Sequence, residues 1–177
     1  MDCILFRHGI AVDPAEWDGK EAQRPLTPRG IEKTKLAAFG LLRMDHVPTQ
    51  IVSSPFSRAL ETANLIREAF EIKDDIQQWN GLVPDARPDR VLPWLADFPG
   101  DACVMCVGHE PHLRAAAAFL LFGAEAAGLS LKKSGACAIR FDGPPKPGEG
   151  VLRWWLMPAQ LRELGKGETS RRSKKAR

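Results

Sequence analysis

Three short apolar segments each lead into polar residues and then into a segment with helical periodicity, and this repeated order limits the possible folds. The segments cover residues 3–7, 49–53 and 102–108, and their apolar composition is typical of buried strands. Strands that alternate with helices form mostly parallel sheets with helices packed on both faces. We therefore predict an α/β fold, a three-layer α/β/α sandwich around a mostly parallel central sheet.

The predicted helices begin with residues that commonly start helices. Thr27 precedes Pro28, and Ser54 precedes Pro55. A hydroxyl at the cap satisfies a free backbone N–H, and proline fits the first helical position. The patterns predict helices over 27–44, 54–70, 89–97, 110–123 and 158–164, with Pro111 just inside the start of the fourth. They also predict a short strand near 75–77 and a C-terminal antiparallel hairpin, whose strands lie within 135–143 and 150–158.

The chain is long enough for one domain with a substantial core. It has 177 residues, and we assign 1–164 to a single domain. The segment 165–177 holds six of the 25 basic residues and only one of the 22 acidic residues, so the domain itself is close to neutral. Such a segment is typical of a disordered tail. It is either simply solvated or a contact for an acidic partner, and we do not expect that partner to be nucleic acid.

The cysteines indicate a reducing compartment. Cys103 and Cys106 have the CxxC spacing, but residues three apart on a strand face opposite sides, so we predict buried thiols and not a redox or zinc site. The longest apolar run is interrupted by Arg114 and Glu125. We see no signal-peptide pattern and expect a cytoplasmic protein without a membrane span.

Polar residues follow three of the predicted strands, at the point where each strand ends. Ligands of open α/β sheets bind at the carboxyl ends of the strands. If these strands are neighbours, two arginines, two histidines and a helix N-terminus face one pocket. The residues concerned are Arg7, His8 and Gly9 after the first strand, Ser54 and Arg58 after the second, and His109 after the third.

This combination of side chains suits a phosphoryl group. Arginine offers a planar fork of donors that matches phosphate oxygens, and a helix N-terminus adds free N–H groups. A glycine such as Gly9 lets the backbone turn and approach a ligand closely. A neutral histidine such as His8 has a lone pair that can attack phosphorus near neutral pH. Each residue alone has a structural explanation, and only their convergence indicates a site.

The motifs together resemble the histidine phosphatase superfamily, also called the phosphoglycerate-mutase-like family. The sequence FRHG follows the first strand, SSPFSRALETA follows the second, and VGHEP follows the third, while RPLTPRG opens the first helix. The short length and the WWLMP strand resemble most the SixA-type phosphohistidine phosphatases. The resemblance implies that His8 is a nucleophile that becomes phosphorylated, that Arg7 and Arg58 clamp the phosphate, and that His109 donates to a phosphoryl oxygen. Gly9, Ser54 and Arg24 are further candidates for substrate binding, and we expect no metal and no cofactor.

The chain departs from the larger members of the family at the general acid. Those members carry a carboxylic acid on an insertion after the second helix, whereas the corresponding stretch WNGLVPDARPD offers only Asp85 and Asp89. A sugar alkoxide needs a proton to leave, but the P–N bond of phosphohistidine is labile and needs it less. Asp85 is a weak candidate for the acid or a turn residue, Glu110 a second candidate or a helix cap, and His112 either lines the pocket rim or packs in the core.

The sequence thus favours a metal-independent phosphatase for phosphohistidine in a protein, such as a phosphotransfer domain or a phosphocarrier. Two alternatives stay open. One is a phosphomonoesterase that acts on a small phosphorylated metabolite. The other is a non-catalytic module that binds phosphorylated groups.

Overall fold

The structure is a computed structural model that describes residues 1–44 and 46–175, with side chains described as far as Gly167. Strands and helices alternate through most of the chain, as the apolar segments predict. The strands are β1 (Asp2–Arg7), β2 (Gln50–Ser53), β3 (Gln77–Gln78), β4 (Cys103–Gly108), β5 (Ala136–Arg140) and β6 (Val151–Leu156), and the helices are α1 (Pro28–Leu42), α2 (Ser57–Phe70), α3 (Val91–Leu95), α4 (His112–Phe122) and α5 (Pro158–Lys175).

All six strands form one sheet in the order β3-β2-β4-β1-β5-β6. The first four positions, β3, β2, β4 and β1, are parallel to one another. Strand β5 is antiparallel to both β1 and β6, so the C-terminal pair is the predicted hairpin. The carboxyl ends of β1, β2 and β4 consequently meet at one edge of the sheet, where the polar residues of the three motifs follow.

The sheet separates two hydrophobic cores, because successive residues of a strand face opposite sides. Ile4 and Phe6 of β1 pack with α1, α2 and α5, whereas Cys3 and Leu5 pack with α3 and α4. The predicted three-layer α/β/α sandwich is therefore confirmed. Cys103 and Cys106 likewise belong to different cores, and the four cysteines are free thiols.

The helix starts follow the sequence in one case and depart from it in two. At α1, Thr27 accepts a hydrogen bond from the N–H of Gly30 at 2.9 Å, with proline in the first turn as predicted. The prediction that Ser54 caps the second helix is wrong, since α2 begins at Ser57 after an extended Phe56. Pro111 precedes α4 at its N-cap and does not lie inside its start. Local sequence propensity thus located all three helices but gave the wrong first residue for α2 and α4.

The last helix is longer than predicted. α5 continues to Lys175, into the segment that the sequence predicts as a tail, and Gly165 is buried against α1. The acidic partner of the tail stays a prediction, and residues 176 and 177 lie outside the described part. The predicted helix over 89–97 is shorter in the structure, a turn at Pro88–Arg90 followed by α3. No described helix has the length and apolarity that a membrane crossing requires.

Candidate active site

His8 lies directly after β1, and its ring is held in a single tautomer. Only 6% of the residue is exposed. Its Nδ1 lies 2.7 Å from the carbonyl oxygen of Gly9, and because a carbonyl only accepts, Nδ1 carries the proton. The lone pair is therefore on Nε2, and Arg58 donates its Nε–H to that nitrogen at 3.3 Å. Two independent contacts thus leave Nε2 unprotonated at the carboxyl edge of the sheet.

The surroundings of His8 also keep its ring neutral. Burial, together with the positive charges of Arg58 and Arg7, lowers the pKa of His8 to about 3. The hydrogen bond to Gly9 opposes this shift but does not outweigh it. At neutral pH the imidazole therefore has a lone pair available for bond formation.

His109 follows β4 and faces His8 across the pocket. The two ring centroids are 4.9 Å apart. The Nε2 of His109 lies 2.9 Å from the hydroxyl of Ser54, while its Nδ1 is buried without a hydrogen-bond partner among the described residues. Burial, with His8 and Arg58 nearby, lowers the pKa of His109 to about 2. The rings of Phe56 and His109 pack in an edge-type arrangement, with their centroids 5.2 Å apart.

Arg58 comes from the first turn of α2 and connects the pocket to the loop after β1. It is 4% exposed. Besides His8, it donates its Nη1 to the carbonyl oxygen of Glu21 at 3.1 Å, and its Nη2 lies 3.1 Å from the Glu21 carboxylate. Its guanidinium also lies over the ring of Phe56. The side chain is thus fixed on three sides with its Nε directed at the histidine.

Glu21 is a site residue that the sequence analysis does not identify. Its carboxylate accepts two hydrogen bonds from Arg24, at 2.8 and 2.7 Å, in addition to its contact with Arg58. The hydrogen bonds from Arg24 lower the pKa of Glu21, which keeps it ionised. Glu21 lies in an irregular loop, where no periodicity marks a residue as facing the pocket. Its only sequence signal is an acid three residues before Arg24.

Arg24 reaches the site through Glu21. It is 8% exposed, and its remaining donor, Nη1, binds the carbonyl oxygen of Val12 at 2.6 Å. The side chain therefore holds together the loop between β1 and α1. Arg24 is therefore linked to Arg58 through the carboxylate of Glu21.

Arg7 stands at the same edge of the sheet, next to His8 in the chain. Its Nη1 donates to the carbonyl oxygen of Leu131 at 2.7 Å, and its Nε is buried without a partner in the described part of the chain. Glu110 holds the same loop, because its carboxylate accepts from the N–H of Leu131 at 3.1 Å and lies near Arg114. Glu110 therefore stabilises the loop at Leu131 and is not the predicted helix cap.

Gly9 has a packing reason to be glycine. A Cβ at this position would overlap the hydroxyl of Thr34 on α1. Its N–H donates to the hydroxyl of Thr62 at 3.0 Å, and that hydroxyl donates to the carbonyl oxygen of Arg58 at 2.7 Å. Gly9 thus ties the loop of His8 to the helix of Arg58.

The weaker candidates form no hydrogen bond with this cluster among the described residues. Asp85 is exposed, and Asp89 pairs with Arg87 at 2.6 Å on the surface. His112 is 2% exposed, neither of its ring nitrogens has a hydrogen-bond partner among the described residues, and it borders a separate cavity of about 540 Å³. Within the described ranges, no group of three His, Cys, Asp or Glu side chains is arranged to hold a metal ion.

Comparisons with known proteins identify the family of the chain. The model of the histidine phosphatase superfamily, branch 1, matches residues 3–83, which contain His8 and Arg58. The chain belongs to the histidine phosphatase superfamily. An uncharacterized protein of Picosynechococcus sp. is 36% identical over 142 residues, which cover 79% of this chain and 85% of that protein.

Two further relatives share the histidine phosphatase fold over nearly their whole length. The phosphohistidine phosphatase SixA of Escherichia coli K12 is 24% identical over 164 residues, covering 92% of this chain and 97% of that protein. A structure of the protein histidine phosphatase SixA complexed with tungstate superposes with a TM-score of 0.80 at 23% identity, over 91% of this chain and 99% of the other. The mixed six-stranded sheet with five α-helices is thus the fold of a histidine phosphatase.

Proposed function

We propose that this histidine phosphatase removes the phosphoryl group from phosphohistidine in a protein, by way of a phosphorylated His8. The observation that carries the proposal is the state of His8 Nε2, which has a lone pair and accepts a hydrogen bond from Arg58. A guanidinium N–H already at the reacting nitrogen is positioned to bind an oxygen of a phosphoryl group that arrives there.

The first step transfers the phosphoryl group to the enzyme. His8 Nε2 attacks phosphorus, a new N–P bond forms, and the P–N bond to the substrate imidazole breaks in line with the attack. Arg58, Arg7 and His109 hold the phosphoryl oxygens and offset their charge. The departing imidazole nitrogen keeps the electron pair of the broken bond and takes a proton from solvent.

The second step regenerates the enzyme. A water molecule attacks phosphorus, the N–P bond to His8 breaks, and inorganic phosphate leaves after the water has lost a proton. The hydrogen bond from Nδ1 to Gly9 holds the ring in the same tautomer through both steps. No step requires a metal ion, since guanidinium groups balance the charge of the phosphoryl oxygens.

The choice of phosphohistidine as substrate rests on the proton donors at the site. The carboxyl nearest to the guanidinium of Arg58 is Glu21, whose lowered pKa makes it a poor acid. Burial raises the pKa of Glu110, but its carboxylate binds the N–H of Leu131 and lies near Arg114, and Asp85 is exposed. An alkoxide leaving group needs a strong donor nearby, whereas imidazole leaves readily from phosphorus without one. The name of the relative SixA, phosphohistidine phosphatase, supports the same choice.

A side-by-side assay tests this function. The wild-type protein and the His8→Ala variant are compared on a phosphohistidine-bearing phosphotransfer domain, a phosphoserine peptide and a sugar phosphate. We expect preferential turnover of the phosphohistidine protein and a loss of at least about a thousandfold in His8→Ala, because the nucleophile is absent. A His46→Ala variant, altered outside the site, is the matched control and should keep full activity.

Each other outcome identifies a different function. Comparable turnover of the sugar phosphate would favour a phosphomonoesterase for small metabolites. Tight binding of the phosphorylated domain without turnover would favour a phospho-binding module. Full activity in His8→Ala would refute the nucleophile. Radiolabelled phosphate that is trapped on wild type but not on His8→Ala, and is lost in acid, would support the intermediate directly.

A further inference from the structure

A second cationic cavity lies beside the candidate active site. It has a volume of about 390 Å³ and lies between α1, the loop before β5 and the start of α5. Five cationic side chains line it, and no acidic residue does. The cations are Arg7, Lys33, Lys132, Lys133 and Arg162.

Positive charge exceeds negative charge around this cavity, although Asp13 acts on Lys133, and Glu110 acts on Arg7 and Lys132, at longer range. Lys33, Lys132, Lys133 and Arg162 form no ion pair with a described carboxylate. Burial, followed by the charges of Arg7 and Arg24, lowers the pKa of Lys133. Cations that repel one another are stabilised when an anion binds among them. The cavity therefore favours an anionic occupant.

The cavity and the candidate active site share Arg7. The backbone carries this side chain directly before His8, and Arg7 lines the cavity. The N–H of Ser134, next to the two lysines, donates to the carbonyl oxygens of both Arg7 and His8, at 3.0 and 3.2 Å. The cavity therefore lies next to the segment that carries His8.

The loop that carries the lysines is also rigid. Ser134 has a φ of 62°, a conformation that costs a non-glycine residue free energy unless its surroundings hold it. Here the hydroxyl of Ser134 bonds that of Thr34 at 2.9 Å, in addition to the two backbone contacts. Thr34 is the same residue that packs against Gly9. The loop and the His8 segment therefore keep a fixed relative position.

We propose that this cavity binds acidic side chains that lie near the phosphohistidine of the protein substrate. This inference rests on the proposed function, because it assumes a protein substrate whose phosphohistidine reaches His8. Lys132 and Lys133 are exposed, and the cations come from four separate parts of the fold: β1, α1, the loop before β5 and α5. Singly charged groups spread over an open surface match aspartate and glutamate side chains spaced along another protein. A single phosphate binds better to donors that converge on one point.

The test uses two phosphohistidine peptides of equal length, one with glutamates and one with glutamines around the phosphohistidine. The measured quantity is the ratio of kcat/KM for the glutamate peptide to that for the glutamine peptide. We expect a wild-type ratio of about ten that decreases as salt is added, because charge complementarity is screened. Lys132→Glu combined with Lys133→Glu should lower the ratio to about one or less, and the corresponding double glutamine variant should give an intermediate value.

A charge-matched control keeps the test specific. Lys35→Glu combined with Lys73→Glu changes the net charge equally but lies outside the cavity, and it should keep the wild-type ratio. Equal hydrolysis of both peptides by wild type would overturn the acidic subsite and leave the proposed function standing, as would a wild-type ratio in the Lys132 and Lys133 variant. Hydrolysis of neither peptide would overturn the proposed function and the subsite with it.

Discussion

At the scale of single residues, the state of His8 depends on a short chain of contacts. The carbonyl oxygen of Gly9 sets the tautomer of the His8 ring, Arg58 donates to the lone pair on Nε2, and Glu21 binds Arg58. The carboxylate of Glu21 therefore lies at Nη2 of the same guanidinium whose Nε–H would bind a phosphoryl oxygen. Because it also neutralises part of the positive charge, Glu21 competes with an incoming oxyanion.

Replacing Glu21 with glutamine should increase the affinity of the site for inorganic phosphate. The loss of one negative charge next to Arg58 and Arg24 is expected to tighten phosphate binding by about fivefold. The measurement is the inhibition constant of phosphate, with Glu16→Gln in the same loop as the control. Weaker binding in Glu21→Gln would show instead that Glu21 is needed to position Arg58.

At the scale of elements, the close packing of α1 against α5 supports the face of the sheet that carries His8. A Cβ at Gly40 of α1 would overlap the carbonyl oxygen of Leu161, and one at Gly165 would overlap that of Leu36. These glycines allow the two helices to approach backbone to backbone. Thr34 in the middle of α1 packs against Gly9, so the helix pair also contacts the site.

Gly40→Ala should push these helices apart and destabilise the fold. We expect the free energy of unfolding to fall by about 2 kcal/mol, because backbone atoms cannot move aside as a side chain can. Urea denaturation measures the change. Gly100→Ala is the matched control, since a Cβ there meets no atom, and it should alter stability by less than about 0.5 kcal/mol. Equal effects of the two substitutions would contradict close packing at Gly40.

At the scale of the whole molecule, three histidines are buried in neutral form. Burial lowers the pKa of His8 to about 3, of His109 to about 2 and of His112 to about 4. Each value lies below that of an unfolded histidine, so the unfolded chain binds more protons than the folded one in mild acid. Their contribution to stability is complete above the unfolded pKa and is lost as pH falls toward the folded values.

Stability should therefore decrease as pH falls from about 7 to about 5.5, by about 1–2 kcal/mol for each of these histidines. The check is urea denaturation across this pH range. His112→Leu should reduce the slope of the free energy of unfolding against pH by the contribution of one histidine. A free energy of unfolding that does not change over this range would contradict three neutral buried histidines.

The sequence by itself determined the strand–helix order, the two-sided sheet and the three strand ends that carry His8, Arg58 and His109. These features follow from local periodicity and from the rule that ligands bind at the carboxyl ends of parallel strands. The first residue of α2 and the length of α5 were not predicted, because helix ends are the part of a helix that local sequence specifies least.

Only the tertiary structure decided which loop residues join the site. Glu21, Lys132, Lys133 and Ser134 are far apart in the chain from the groups they face, and their loops have no period that reveals a direction. The pairing of β5 with β1 brings the 132–134 loop beside His8. Contacts between distant segments depend on how the strands are ordered in the sheet, and that order is set by packing of the whole chain.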